Sequence, residues 1–140
     1  MTDRTIRHTA ERILSGTASV IAIKEHCDAW NRAPDARLFH DEPPMIGTPQ
    51  SPSWIDAWLA GAAEYEAYLI GVPAPDWALE PRRFLRTPFI PGGPNTRRYA
   101  LIETPFAWRR RMVFGGRTMI EAGTRSLEEA PEIHPSGLNR

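Results

Sequence analysis

The chain has 140 residues, with seventeen basic against seventeen acidic side chains and one cysteine. That length suits one domain burying about two-thirds of its unfolded surface without disulfides, and Cys27 could form none internally, a usage that fits a reducing cytosol. The polar opening MTDRTIRHTAER does not read as a signal peptide, and no apolar run approaches the ~18 residues of a membrane span, so a cytoplasmic protein without a membrane partner is expected.

The zero net charge hides an asymmetry. Positions 82–117 carry nine arginines against one acid, Glu103, whereas positions 1–81 carry six basic and twelve acidic residues. Either the two parts neutralise each other on folding, or the basic block faces a nucleic acid or an acidic protein surface.

In chain order, Thr2 or Asp3 is expected to open a first helix ending near Leu14, with Ile6, Ala10, Ile13 and Leu14 on its apolar side. A second helix starts at Thr17 or Ser19 and stops before Pro34. Its Val20, Ile23, Cys27 and Trp30 form a narrow seam, so the pair reads as a helical hairpin over 1–42. A short turn of helix follows near 36–40. The proline-rich stretch 41–52 is expected to be extended and to divide the hairpin from a main body over 43–123.

The strongest helix signal runs from Ser51 to Pro73. Ser51 is the expected cap, Pro52 the first helical residue and Asp56 a first-turn charge suited to the dipole. Trp54, Trp58, Ala62, Tyr65 and Leu69 form the apolar stripe, widened by Ile55 and Leu59. Gly71 reads as a left-handed stop, with Val72 as its apolar lock and Pro73 barring continuation.

Beyond it, prolines 73, 75, 81 and 88 allow only single turns of helix, at 75–79 and 81–85, pinned by Trp77, Phe84, Leu85 and Phe89. Residues 91–95 read as a turn. The stretch 97–104 fits a strand by propensity, yet a helix capped by Asn95 or Thr96 is favoured, because no second strong strand exists to pair with it. Pro105 starts another short helix, which Gly115 and Gly116 end. A last short helix is expected over 118–122, and 124–140 reads as a flexible tail.

Several patterns invite chemistry. Cys27 beside His26 suggests a nucleophile, but adjacent helical residues do not face each other, and a buried structural cysteine is expected. His8 and Glu11 have ligand-like spacing without a supporting HExxH or CxxC, so no metal site is expected. Glu64, Tyr65 and Tyr68 could line a small-molecule pocket. The glycines of 91–95 and 114–118 could meet an anion, but lack a P-loop pattern. The chain has no GxSxG, paired-carboxylate pattern or Rossmann fingerprint. Neither a cofactor nor catalysis is expected.

Arg109, Arg110 and Arg111 are the most specific feature. Three consecutive residues sweep about 300° of a helix, so they cannot all face one way. At least one is expected to hold backbone carbonyls or Glu103, while the others meet a phosphate or carboxylate. Pro105, Phe106, Ala107 and Trp108 are poor base readers for a DNA-recognition helix.

The segments WIDAWLAGAAEY, GVPAPDW, RRFL and ALIETPFAWRRR carry a resemblance covering about Trp54 to Ala122. Together they resemble a family of uncharacterised bacterial accessory, antitoxin-like proteins that share the pattern DAYLAALAEHLA…GLPVPAW…ALVESPAAFRRR. Thr104 and Trp108 depart from that pattern. The resemblance implies an accessory protein encoded beside a nucleotidyltransferase-like protein, in an arrangement like a toxin–antitoxin module, and carries no catalytic residues with it.

The expectation is therefore an all-α protein that binds another protein without catalysis and neutralises or assists a toxin-like enzyme. Arg97, Arg98, Arg109, Arg110, Arg111 and Arg117 are the partner-facing residues. The rival readings are a DNA-binding regulator that uses the 82–117 block and a small enzyme or ligand-binding protein with a pocket near Tyr65.

Overall fold

The computed structural model describes residues 4–91 and 94–114, with only the backbone described at 94–96, 99 and 100. The fold is all-α. Among the described residues there are five α-helices: α1 (Ile6–Leu14), α2 (Ser19–Arg32), α3 (Trp54–Leu69), α4 (Pro94–Glu103) and α5 (Phe106–Arg109). Single 3-10 turns occupy Ala36–Leu38, Asp76–Leu79 and Pro81–Arg83, the last two in the proline-rich 73–88 stretch. The expected last helix at 118–122 and the tail 124–140 lie outside the described residues.

Thr5 caps α1, accepting the His8 amide, in place of the expected Thr2 or Asp3. Leu14 is exposed, so the apolar side of α1 rests on Ile6 and Ala10, with Ile13 packed beside them. Helix α1 packs on α2. Ile23, Cys27 and Trp30 are buried as their spacing suggests, whereas Val20 lies only at the edge of the seam.

Helix α3 is the centre of the molecule. All nine positions from Ile55 to Ala63 are buried, so it is covered nearly all round rather than along one stripe, and Leu69 is exposed. It begins two residues later than Ser51 and Pro52 suggest. The hydroxyl of Ser53 accepts the Ile55 amide at 3.0 Å, and Asp56 accepts the Ser53 amide at 2.9 Å, a capping box. The Asp56 carboxylate also accepts the amides of Ile46 and Gly47 at 2.7 and 2.8 Å and is wholly buried. Asp56 lies in the first turn as expected, and from there it also fastens the 41–52 stretch to the start of α3.

The other end has the expected glycine stop, although Val72, expected as its apolar lock, is exposed. Gly71 has φ +74, its amide donates to Tyr68 and the Val72 amide donates to Ala67, the two bonds of a Schellman stop.

The hairpin residues Ile6, Ala10, Ile23, Cys27 and Trp30 share one core cluster with α3 and Trp77. A buried polar link joins them: His26 Nδ1 donates to the Arg4 carbonyl at 2.7 Å, and its Nε2 meets Glu66 at 2.8 Å. A carbonyl can only accept, so Nδ1 must carry a hydrogen there.

The 97–104 stretch is helical, within α4, and that helix begins at Pro94, ahead of the expected caps Asn95 and Thr96. Helix α5 lies across α3, with Trp108 against Trp58 (ring centroids 5.5 Å apart) and its indole N–H donating to the Trp58 carbonyl at 3.0 Å. It is a single turn that ends at Arg109, ahead of the stop expected at Gly115 and Gly116. The chain reverses at Met112, the one non-glycine residue with positive φ among those described (65°), with the Val113 amide donating to Trp108 and the Met112 amide to Arg109. The 85–89 and 111–114 stretches then run together, through Leu85 to Arg111, Phe89 to Met112 and Phe114 to Phe89.

Candidate protein-docking surface

Most of the basic block falls into two groups that share Arg110. Arg82, Arg83, Arg110 and Arg111 each meet a carboxylate from the acidic first part of the chain. Arg82 pairs with Glu42 and Glu80. Arg83 is wholly buried, donates to the Pro43 carbonyl at 2.6 Å and lies over the Trp77 ring at 5.0 Å. Mutual neutralisation thus accounts for much of the block.

Arg111, expected to face a partner, is also buried. Its relative exposure is 0%. It donates to Glu64 at 2.5 Å, to the Ala107 carbonyl at 2.6 Å and to the Ala78 carbonyl at 2.7 Å, with Phe84 against its face. These bonds hold it inward, which removes it from the partner-facing set. Burial lowers the pKa of Arg83 and Arg111, with nearby carboxylates opposing the shift. An arginine keeps its charge regardless, so both are buried cations that need their partners.

The second group sits on the α4–α5 elbow. Arg98, Leu101 and Ile102 are exposed and share one face of α4, at i, i+3 and i+4. On α5, Phe106 has Arg109 and Arg110 as its i+3 and i+4 neighbours. Ile102 and Phe106 are 69% and 67% exposed. Arg109 holds the elbow by donating to the Ile102 carbonyl at 2.9 Å, which satisfies a carbonyl at the end of the preceding helix rather than of its own. Among the described residues neither Arg98 nor Arg109 meets a carboxylate. Arg110 lies 5.4 Å from the Phe106 centroid and 5.5 Å from that of Phe84. Arg97 is half-buried, with its Nε lacking a partner. Arg117 lies outside the described residues.

The exposed apolar residues were the missed signal. The sequence points to arginines and marks neither Ile102 nor Phe106 as outward-facing; α4 and α5 turn both to the surface.

The other candidates disperse. Cys27 is buried in the α1–α2 seam, and His26 is occupied by Arg4 and Glu66. His8 meets only Glu11, at 3.7 Å, and no group of three metal-ligating side chains occurs among the described residues. Tyr65 packs on Trp108 with centroids 4.9 Å apart, Tyr68 is exposed, and Glu64 is taken by two arginines, so the three do not line a pocket. A groove of about 470 Å³ does exist elsewhere, between Arg7, Glu11, Glu42, Pro43, Met45 and Arg82. It is open, and in it Arg7 pairs with Glu11 and Arg82 with Glu42. The glycine-rich candidates fall largely outside the described residues. No described helix is long and apolar enough to cross a membrane.

The fold and this surface define an all-α protein with a filled core and an exposed apolar–basic ridge. Nothing matches the chain in comparisons with family models, curated proteins and solved structures.

Proposed function

We propose that this protein is a non-catalytic protein-binding module of the antitoxin-like kind, which neutralises or assists a toxin-like enzyme. The sequence resemblance suggests a nucleotidyltransferase-like protein as the partner. The observation that carries the reading is the pair Ile102 and Phe106, large apolar side chains two-thirds exposed beside Arg98, Arg109 and Arg110. Apolar and aromatic side chains flanked by arginine are what protein interfaces concentrate at their centres. The elbow rests on a packed core through Trp108, so it is presented without a large ordering cost.

Against the DNA-regulator reading, four of the nine arginines in the basic block meet internal carboxylates. In addition, α5 is one turn long, too short to lie in a major groove as a recognition helix. Against the small-enzyme reading, the space beside Tyr65 is filled by Trp108.

The test is co-expression with the product of the adjacent gene. The wild-type protein should copurify with it, and the double variant Ile102→Glu/Phe106→Glu should not, while melting within about 2 °C of wild type. Full retention by a folded double variant would sink the proposal. Duplex DNA binding that falls steeply with salt would move the regulator reading ahead.

A further inference from the structure

We infer that the elbow recognises a carboxylate flanked by large apolar side chains on an acidic protein segment, and that Arg110 leaves Glu64 to meet it. This rests on the protein-binding reading above and adds the chemistry of the partner.

Glu64 is one carboxylate shared by two guanidinium groups. Its Oε1 accepts from Arg111 at 2.5 Å and from Arg110 at 3.1 Å, and its Oε2 lies 3.0 Å from Arg110. The two arginines are held very differently. Arg111 is buried and has two backbone carbonyls besides Glu64. The Arg110 side chain is 33% exposed, and its other contacts are the faces of Phe84 and Phe106. If Arg110 swings out, Glu64 keeps Arg111 and no buried charge is stranded. The exchange therefore replaces one surface ion pair by another, which costs little.

The receiving geometry is already in place. Phe106 is flanked by Arg109 at i+3 and Arg110 at i+4, one fixed at the Ile102 carbonyl and one exchangeable. The exposed Arg98, Arg109 and Arg110 share α4 and α5 with one exposed acid, Glu103, and of the three only Arg110 meets a carboxylate, that of Glu64. That excess selects an acidic occupant. It also disfavours a second copy of this chain, because a two-fold interface would set the same arginines against each other.

The experiment is selection of displayed random 12-residue peptides on the purified full chain. Wild type should enrich peptides that combine Asp or Glu with large apolar residues. The variant Arg109→Gln/Arg110→Gln should enrich apolar peptides without the acids, and a synthetic consensus peptide should bind it about tenfold or more weakly, as expected for loss of charge-assisted hydrogen bonds. Arg110→Gln alone should melt with the wild type, because Arg111 keeps Glu64.

Enrichment of apolar peptides without acids on wild type would overturn the carboxylate assignment and leave the protein-binding reading standing. A large loss of stability in Arg110→Gln would overturn the exchange. A dimer in solution that Ile102→Ser/Phe106→Ser dissociates would overturn it in favour of self-association. So would a 16-base-pair duplex bound by wild type and lost in the arginine double variant, in favour of nucleic acid. Failure of wild type to enrich any peptide would overturn the surface itself, whereas the co-expression test decides separately whether the protein binds a partner at all.

Discussion

At Gly61 the central helix accepts only a hydrogen. A methyl group there would lie 2.5 Å from Trp108 Cδ1 and 2.9 Å from its Nε1, within the ring that packs α5 onto α3. Alanine in a helix interior normally gains about 1 kcal/mol over glycine. Here Gly61→Ala should instead cost about 1–3 kcal/mol through overpacking, and urea unfolding will read the sign. Trp58→Ala removes the neighbour of that ring from the core and should cost about 3–5 kcal/mol. Arginine shows the limit of reading single residues from sequence. Arg109, Arg110 and Arg111 are indistinguishable there, yet one props the elbow, one is exchangeable and one is buried. Arg111→Gln removes one partner of a buried charge pair and should cost about 3–5 kcal/mol, whereas Arg109→Gln should stay within about 0.5 kcal/mol. Equal melting temperatures for the two variants would overturn the assignment of Arg111 as structural.

Helix ends depend partly on local chemistry, and the stops after α3 and α5 show how much of it the sequence exposes. After α3, Gly71 announced its left-handed turn because glycine adopts positive φ without strain. After α5, the same pair of hydrogen bonds closes around Met112, which gives no such signal and adopts φ 65° against its preference. Arg111, just before that turn, is held inward by Glu64 and the Ala78 carbonyl, both distant in sequence, so its burial could not be read from the sequence. The left-handed conformation costs a non-glycine residue about 1–2 kcal/mol, and the Met112 side chain is at the margin of exposure. Met112→Gly should therefore raise stability by about 0.5–1 kcal/mol, after allowing for the greater unfolded-state freedom of glycine. A clear loss in thermal melts would show that the methionine side chain packs usefully. The start of α3 is legible in the capping-box spacing of Ser53 and Asp56. That Asp56 would also gather the amides of Ile46 and Gly47 is not, because those contacts come from the folded path of the preceding chain.

Each layer of the molecule reaches α3 through a buried polar atom as well as through apolar packing. Glu66 meets His26 of α2, Asp56 holds the 41–52 stretch and meets Arg83, and the Trp58 carbonyl accepts from Trp108 of α5. The helices and their order could be read from apolar spacing and prolines. These cross-links could not, since a lone Glu66 or His26 has the spacing of neither a motif nor a repeat. They bear on how the protein unfolds. The core residues of α1 and α2 belong to the same cluster as α3, and breaking the hairpin away would separate the buried His26 from the buried Glu66. The chain should therefore lose structure in one cooperative step, as small domains with a single core do. Trp30 reports on α2 and Trp58 and Trp108 on the centre, so tryptophan fluorescence and far-ultraviolet circular dichroism should give coincident melts. His26→Ala should lower that common midpoint without splitting it, and a fragment lacking residues 1–42 should fail to melt cooperatively. Two resolved transitions in the full chain, or a cooperative melt of the fragment at the full chain's temperature, would show that the hairpin and the body are independent units and that the His26–Glu66 link contributes little to holding them together.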